Sequence, residues 1–193
     1  FYEKLKGMNL DIRYLDLGGG LGIPYNEEEP PHPKEFGAAL TKALSGVSLK
    51  VILEPGRVIV GNAGILVTEV LYTKQTPSKS FVIVDAAMND LVRPSLYGSF
   101  HRIEEVTPQG RGTQDVDVVG PICESGDFLA KDRLLPEVRQ GERLAVYSAG
   151  AYGFTMSSNY NSRPRACELL VAGDKVTVAR RRESFESLVA HEI

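Results

Sequence analysis

The sequence predicts an α/β segment followed by a larger, mostly-β domain. Up to about residue 62, two apolar runs flank one helix-spaced stretch, and each run ends in turn-forming residues. Beyond that point the pattern turns to β-branched, alternating segments separated by turn residues. No internal repeat of fixed period and no low-complexity tract interrupts either part. The expected division is therefore residues 1–62 and residues 63–193.

The elements follow in order. Phe1, Tyr2, Glu3, Lys4, Leu5 and Lys6 read as the end of an amphipathic helix entered midway, so the chain is expected to begin inside a domain. Residues 11–17 form a mostly apolar strand that runs into Gly18, Gly19, Gly20, Leu21 and Gly22. A loop rich in proline and glutamate spans 24–33. Residues 34–44 have helical spacing, with Phe36, Leu40 and Leu44 on one face and Gly46 as a stop. Residues 49–54 make the next strand, which ends at Pro55 and Gly56. Strand, helix, strand with functional-looking residues at both strand ends is what part of a (β/α) barrel looks like. The later strands are expected to include 67–73, 81–85, 116–119, 143–147, 166–171 and 175–179, the last two joined by a turn at Ala172, Gly173 and Asp174.

With 42% hydrophobic and 24% charged residues, the 193-residue chain can bury a sizeable core, and its formal net charge of −3 gives nucleic-acid or membrane-surface binding no electrostatic support. The one basic run, Arg180, Arg181 and Arg182, is followed at once by Glu183 and Glu186 and reads as a solvated strand end. Cys123 and Cys167 lack the paired spacing of a metal site, so a reduced, cytoplasmic protein without a metal is expected. Cys167, alternating within its strand, reads as core. No apolar run approaches the roughly 18 residues needed to cross a bilayer, and the first residues lack the order of a signal peptide. His32, His101 and His191 have no partner at ligand or relay spacing, so none is given a catalytic role.

Glycines at a strand end let backbone N–H groups approach an anion, although such clusters also serve turns for purely steric reasons. Glu54, Pro55, Gly56 and Arg57 stand at the end of the very next strand, where a barrel gathers its functional loops. Four motifs follow one another: Gly-Gly-Gly-Leu-Gly-Ile at 18–23, Glu-Pro-Gly-Arg at 54–57, Cys-Glu-Ser-Gly-Asp at 123–127 and Gly-Ala-Tyr-Gly at 150–153. In this order and spacing the sequence resembles the diaminopimelate decarboxylases. These belong to the pyridoxal-phosphate enzymes with a barrel and a β domain, a group that includes ornithine and arginine decarboxylases and alanine racemase. The resemblance runs over essentially the whole chain, including residues 85–90 and 159–164.

The resemblance implies the C-terminal part of a (β/α)8 barrel, its last βα units at 1–62, followed by a mostly-β domain at 63–193. It implies decarboxylation of meso-2,6-diaminopimelate to L-lysine with pyridoxal 5'-phosphate. Gly18, Gly19, Gly20, Gly56 and Arg57 would hold the cofactor phosphate, and Glu54 would face the pyridine nitrogen. Arg57, Arg93 and Tyr97 would bind the substrate carboxylate remote from the reacting carbon. Cys123 would donate a proton to that carbon, Glu124 would bind the distal ammonium, and Tyr152 would touch cofactor and substrate. The loop carrying Cys123 and Glu124 would enter the neighbouring subunit's site, which implies a homodimer with shared active sites.

Each residue also has a plainer reading. Glu54 could be a structural ion pair, Arg93 and Tyr97 a solvent-facing turn, Cys123 inert core, and Tyr152 a ring packed over a glycine turn. None of the nine lysines lies in the context of the family's cofactor-binding lysine. The chain is therefore expected to be a fragment that alone neither closes a barrel nor completes a catalytic cycle. An ornithine, lysine or arginine decarboxylase of the same fold, or a non-catalytic regulatory homologue, remains the alternative.

Overall fold

The computed structural model describes residues 2–8 and 10–193. A five-residue helix, α1 (Tyr2–Lys6), stands where a helix end is expected; Phe1 lies outside the described residues. Strand β1 (Tyr14–Asp16), helix α2 (Pro33–Ala43) and strand β2 (Lys50–Ile52) follow, and the two strands pair in parallel. Helix α2 begins where its chemistry allows. The His32 ring nitrogen accepts from the amide of Lys34 at 3.2 Å, the Glu35 carboxylate accepts from the amide of His32 at 3.2 Å, and Pro33 needs no partner for its nitrogen. Both strands are shorter than the apolar runs that contain them. Their backbone bonding nevertheless continues: Lys50 donates to the carbonyl of Arg13 at 3.1 Å, Leu17 to that of Ile52 at 3.1 Å, and Glu54 to that of Gly18 at 2.8 Å.

After a short helix α3 (Arg57–Val60) and a 3₁₀ turn (Gly61–Ala63), the chain builds a mixed six-stranded sheet. Its members are β3 (Leu66–Gln75), β4 (Ser80–Val84), β5 (Ile103–Glu105), β6 (Thr113–Val119), β7 (Phe128–Pro136) and β8 (Arg143–Val146), in the order β5-β8-β3-β4-β6-β7. Only β4 and β6 pair in parallel. The outer strands β5 and β7 approach one another, so the sheet curls, and the Arg133 guanidinium on β7 donates to the carbonyl of His101 at 2.8 Å. Val70, Val82, Val84, Val118 and Val146 are wholly buried, and with Leu91, Leu129 and Leu144 they form the core. β-branched side chains suit these pleated, covered positions. Strands β5 and β7 stand outside the segments named from sequence. In β7 the run Lys131, Asp132, Arg133 breaks the alternation, and Asp132 sits at φ 47° where the register with β6 shifts.

A one-turn helix, α4 (Arg93–Tyr97), starts with proline at its second position and ends at Gly98, φ 61°. Strands β9 (Glu168–Ala172) and β10 (Lys175–Arg180) form a separate hairpin, followed by α5 (Phe185–Leu188). Leu169, Leu170, Val171, Val176 and Val178 on this hairpin are all exposed. Cys167, expected in the core, is only half-buried, because it leads into a hairpin that lies outside the six-stranded sheet.

Loop 148–153 is fastened to the 3₁₀ turn. Ala149 donates to the carbonyl of Gly64 at 2.9 Å and Gly150 to that of Gly61 at 3.1 Å, while a Cβ on Gly150 would collide with the carbonyl oxygen of Val60. The Gly150→Ala variant is therefore expected to lower stability by more than an ordinary surface change, whose effect is within about 0.5 kcal/mol. Leu144→Ala, which empties a core position, should cost about 2–5 kcal/mol. Urea unfolding reads both as a lower midpoint at unchanged slope.

Candidate active site

Strand β1 delivers the chain into Gly18, Gly19 and Gly20, with φ values of 67° at Gly18 and 102° at Gly20. A Cβ on Gly19 would lie 2.5 Å from the carbonyl oxygen of Glu54, so the ends of β1 and β2 touch at this point. The Glu54 side chain is exposed beside that contact. Leu21, Phe36, Leu53, Pro55 and Ile59 line an apolar hollow next to Gly18 and Gly19.

The loop then turns through buried Ile23 to Tyr25, and here the two parts of the chain meet. The Arg57 guanidinium lies 5.7 Å from the centroid of the Tyr25 ring and 5.7 Å from that of Tyr152. Arg93, from α4, stands over the same two rings at 4.8 Å and 5.9 Å. A guanidinium is attracted to the electron-rich face of an aromatic ring at such distances. The position of a Cβ on Gly56 lies 3.7 Å from the Tyr152 hydroxyl. Tyr152 itself adopts φ 62°, a left-handed conformation that costs a residue with a side chain about 1–3 kcal/mol and has to be held by its surroundings.

Gly18, Gly19, Gly20, Glu54, Gly56, Arg57, Arg93 and Tyr152 thus converge on one region. Tyr97 does not join them. The segment is helical, yet Arg93 is 5% exposed and Tyr97 is 62% exposed. Cys123 and Glu124 are exposed on a separate loop. Buried Asp127 holds that loop: its carboxylate accepts from the amides of Met88 and Ile122, each at 2.7 Å, and it crowds the backbone at Gly120. Burial pushes the Asp127 carboxyl upward against the effect of those two amides. The Tyr160 hydroxyl donates to Glu124 at 3.2 Å, and its own proton is held more tightly by that carboxylate. Among the described residues the hydrogen bonds of Glu124 run to Tyr160 and to its own loop.

Tyr25 and His101 contact this cluster; Tyr25 is absent from the sequence-based expectations, and His101 is given no role in them. The Arg93 Nη1 donates to the Tyr25 hydroxyl at 2.7 Å and contacts His101 Nε2 at 3.2 Å. His101 is wholly buried, and its Nδ1 lies 2.9 Å from the carbonyl oxygen of Tyr147. A carbonyl only accepts, so Nδ1 carries the proton and Nε2 accepts from Arg93. Burial holds the imidazole below its ordinary range, opposed by the Tyr147 carbonyl and reinforced by Arg93 and Arg133. Tyr25 shares its strand-end loop with the glycine cluster, which is a usable sequence signal; His101 has none.

Residues 11–150 match the family described as pyridoxal-dependent decarboxylase, C-terminal sheet domain. The chain belongs to this family. It is 54% identical over 189 residues to diaminopimelate decarboxylase of Aquifex aeolicus, covering 97% of this chain and 45% of the relative. It is 52% identical over 190 residues to diaminopimelate decarboxylase of Pseudomonas aeruginosa, covering 98% of this chain and 46% of the relative. A crystal structure of the Helicobacter pylori diaminopimelate decarboxylase complexed with L-lysine superposes with a TM-score of 0.89 at 45% identity, over 98% of this chain and 47% of that one. The chain thus spans about half the length of the curated relatives it matches. No described helix is long and apolar enough to cross a membrane, and no described cluster of His, Cys, Asp and Glu could hold a metal ion.

The environment of His101 gives this decarboxylase-family site a pH signature. Its folded-state proton affinity is lowered, so below the ordinary imidazole value of about 6.5 the unfolded state binds more protons than the folded one. The contribution of neutral His101 to stability is complete above that value and declines as the pH falls below it. Urea unfolding at about pH 7.5 and about pH 5.5 should show a drop that is smaller in His101→Gln, which has no imidazole to protonate.

Proposed function

We propose that this chain is the C-terminal portion of a diaminopimelate decarboxylase, which releases carbon dioxide from meso-2,6-diaminopimelate and leaves L-lysine. One observation carries the reading. Two guanidinium groups, Arg57 and Arg93, share the rings of Tyr25 and Tyr152 next to the glycine loop, and among the described residues neither has a carboxylate within salt-bridge distance. Paired cations without protein anions suit a ligand that brings anionic groups of its own.

The residues fit pyridoxal phosphate. Around Cβ positions built on Gly18 and Gly20 the space is open; the Gly18 amide donates to the Asp16 carboxylate at 2.8 Å, and the amides of Gly19 and Gly20, which have no partner among the described residues, are left for a phosphate. Gly18, Gly19, Gly20, Gly56 and Arg57 would hold that phosphate. Glu54, exposed beside them, would keep a proton on the ring nitrogen. When bound, the cofactor supplies an electron-accepting ring for the pair left behind as carbon dioxide departs. Arg57 and Arg93 hold the carboxylate at the unreacted end of the substrate, and Tyr152 packs against cofactor and substrate. The amine that anchors the cofactor comes from the part of the relatives' length outside this chain.

Residues 1–62 then contribute the last βα units of a (β/α)8 barrel, and residues 63–193 the β domain. The exposure of Cys123 and Glu124 supports their service in a second subunit's site. There Glu124 receives the distal ammonium and Cys123 returns a proton to the reacting carbon. The protein is a cytoplasmic homodimer in this reading.

Two experiments on the full-length enzyme test it. Arg93→Ala should lower kcat/KM for diaminopimelate about 10- to 100-fold, the worth of hydrogen bonds to a charged group, and an unchanged value would remove the carboxylate role. Arg93→Ala and Cys123→Ala, each lowered about tenfold or more, should recover roughly a quarter of wild-type activity when mixed and reassembled, because one site in each mixed dimer is intact. No recovery would place Cys123 in its own subunit's site.

A further inference from the structure

We propose that Tyr25 and His101 are positioning residues that fix the Arg93 guanidinium in one rotation, leaving a single edge of it for a ligand carboxylate. The inference rests on the reading of Arg93 as a carboxylate ligand and adds how that arginine is aimed. An arginine side chain has four rotatable bonds, and its planar head presents five N–H donors. Unless something holds it, binding has to immobilise it at the expense of affinity.

Three features hold it here. The Nη1 group sits between the Tyr25 hydroxyl at 2.7 Å and His101 Nε2 at 3.2 Å, so both of its protons have protein acceptors. His101 cannot turn to become a donor at Nε2 while neutral, because its Nδ1 proton is engaged by the Tyr147 carbonyl at 2.9 Å. Tyr25 meets His101 edge to face, with ring centroids 5.3 Å apart at 79°, and lies under the guanidinium at 4.8 Å. Neither Nε nor Nη2 of Arg93 has a hydrogen-bond partner among the described residues. Those two N–H groups lie on one edge and form the fork that takes a carboxylate with two parallel bonds.

Tyr25 comes from the loop that carries the glycine cluster, whereas Arg93 and His101 come from the sheet side. The aim of Arg93 is thereby referenced to the glycine loop. The loop in turn is tied down at Pro24, whose carbonyl accepts from Asn62 Nδ2 at 3.0 Å and from the Ser148 hydroxyl at 3.3 Å.

The test uses the full-length enzyme with its cofactor and two inhibitors. L-lysine retains the carboxylate at its unreacted end, and cadaverine has none. Tyr25→Phe keeps the ring and removes only the acceptor. It is expected to raise the inhibition constant of L-lysine and the KM for diaminopimelate about tenfold, with the larger part of the effect in KM rather than kcat, and to leave the cadaverine constant within about twofold. His101→Gln, which keeps an acceptor oxygen, should fall between wild type and His101→Phe in the same ratio. Equal losses for L-lysine and cadaverine in Tyr25→Phe would overturn the positioning role. Arg93→Ala is the reference: if it separates the two inhibitors and Tyr25→Phe does not, the positioning inference alone is wrong. If Arg93→Ala does not separate them, the carboxylate reading falls as well.

Discussion

Two glycines meet where the α/β unit gives way to the sheet, and the site depends on their contact. A Cβ on Gly64 would strike the backbone of Gly150, and one on Gly150 would strike the carbonyl of Val60. With no side chain between them, loop 148–153 lies directly on the 3₁₀ turn and exchanges backbone hydrogen bonds with it. Asn62 adds a bond to the Ser148 hydroxyl at 2.8 Å. Tyr152 is held by this contact at φ 62° with its ring beside Arg57. Larger residues at either glycine would separate the backbones by more than the reach of a hydrogen bond, and the two tyrosine rings would no longer face the same pair of arginines.

The sheet sets the second condition. Arg93 is buried because α4 packs against β7, and the interior it enters is closed by the curl that brings β5 near β7. His101 lies in the connection to β5, with its carbonyl bonded to Arg133 of β7. Burial favours the neutral imidazole, and the neutral ring can accept from a cation. The same group in water would be partly protonated and would repel Arg93.

Much of this is legible in the sequence. The helical spacing of Phe36, Leu40 and Leu44 marks α2, and the apolar runs ending at Gly18 and at Pro55 mark the paired strands. The glycine cluster and Glu54 are recognisable because their chemistry is local. What escapes is non-local. Tyr25 and Arg93 are 68 residues apart, and His101 reaches the Tyr147 carbonyl across 46 residues, so no spacing rule connects them. Strand β7 escapes for a different reason: a charged triplet with one residue at positive φ interrupts a strand that its pairing with β6 carries through. Arg93 and Tyr97 stand at the two ends of one short helix, where Arg93 is covered by the sheet side and Tyr97 is left exposed.

The bond between Tyr25 and Arg93 also bears on how such proteins can be recombined. The connection near Asn62 looks like a natural cut between two exchangeable modules, since the chain passes there from parallel strands to the sheet. Yet the hydroxyl that steadies the arginine is encoded on one side of the cut and the arginine on the other. A chimera joined at that point would inherit the two halves of one hydrogen-bonded unit from different parents. It would keep its aim only where both parents had settled on the same tyrosine, histidine and arginine.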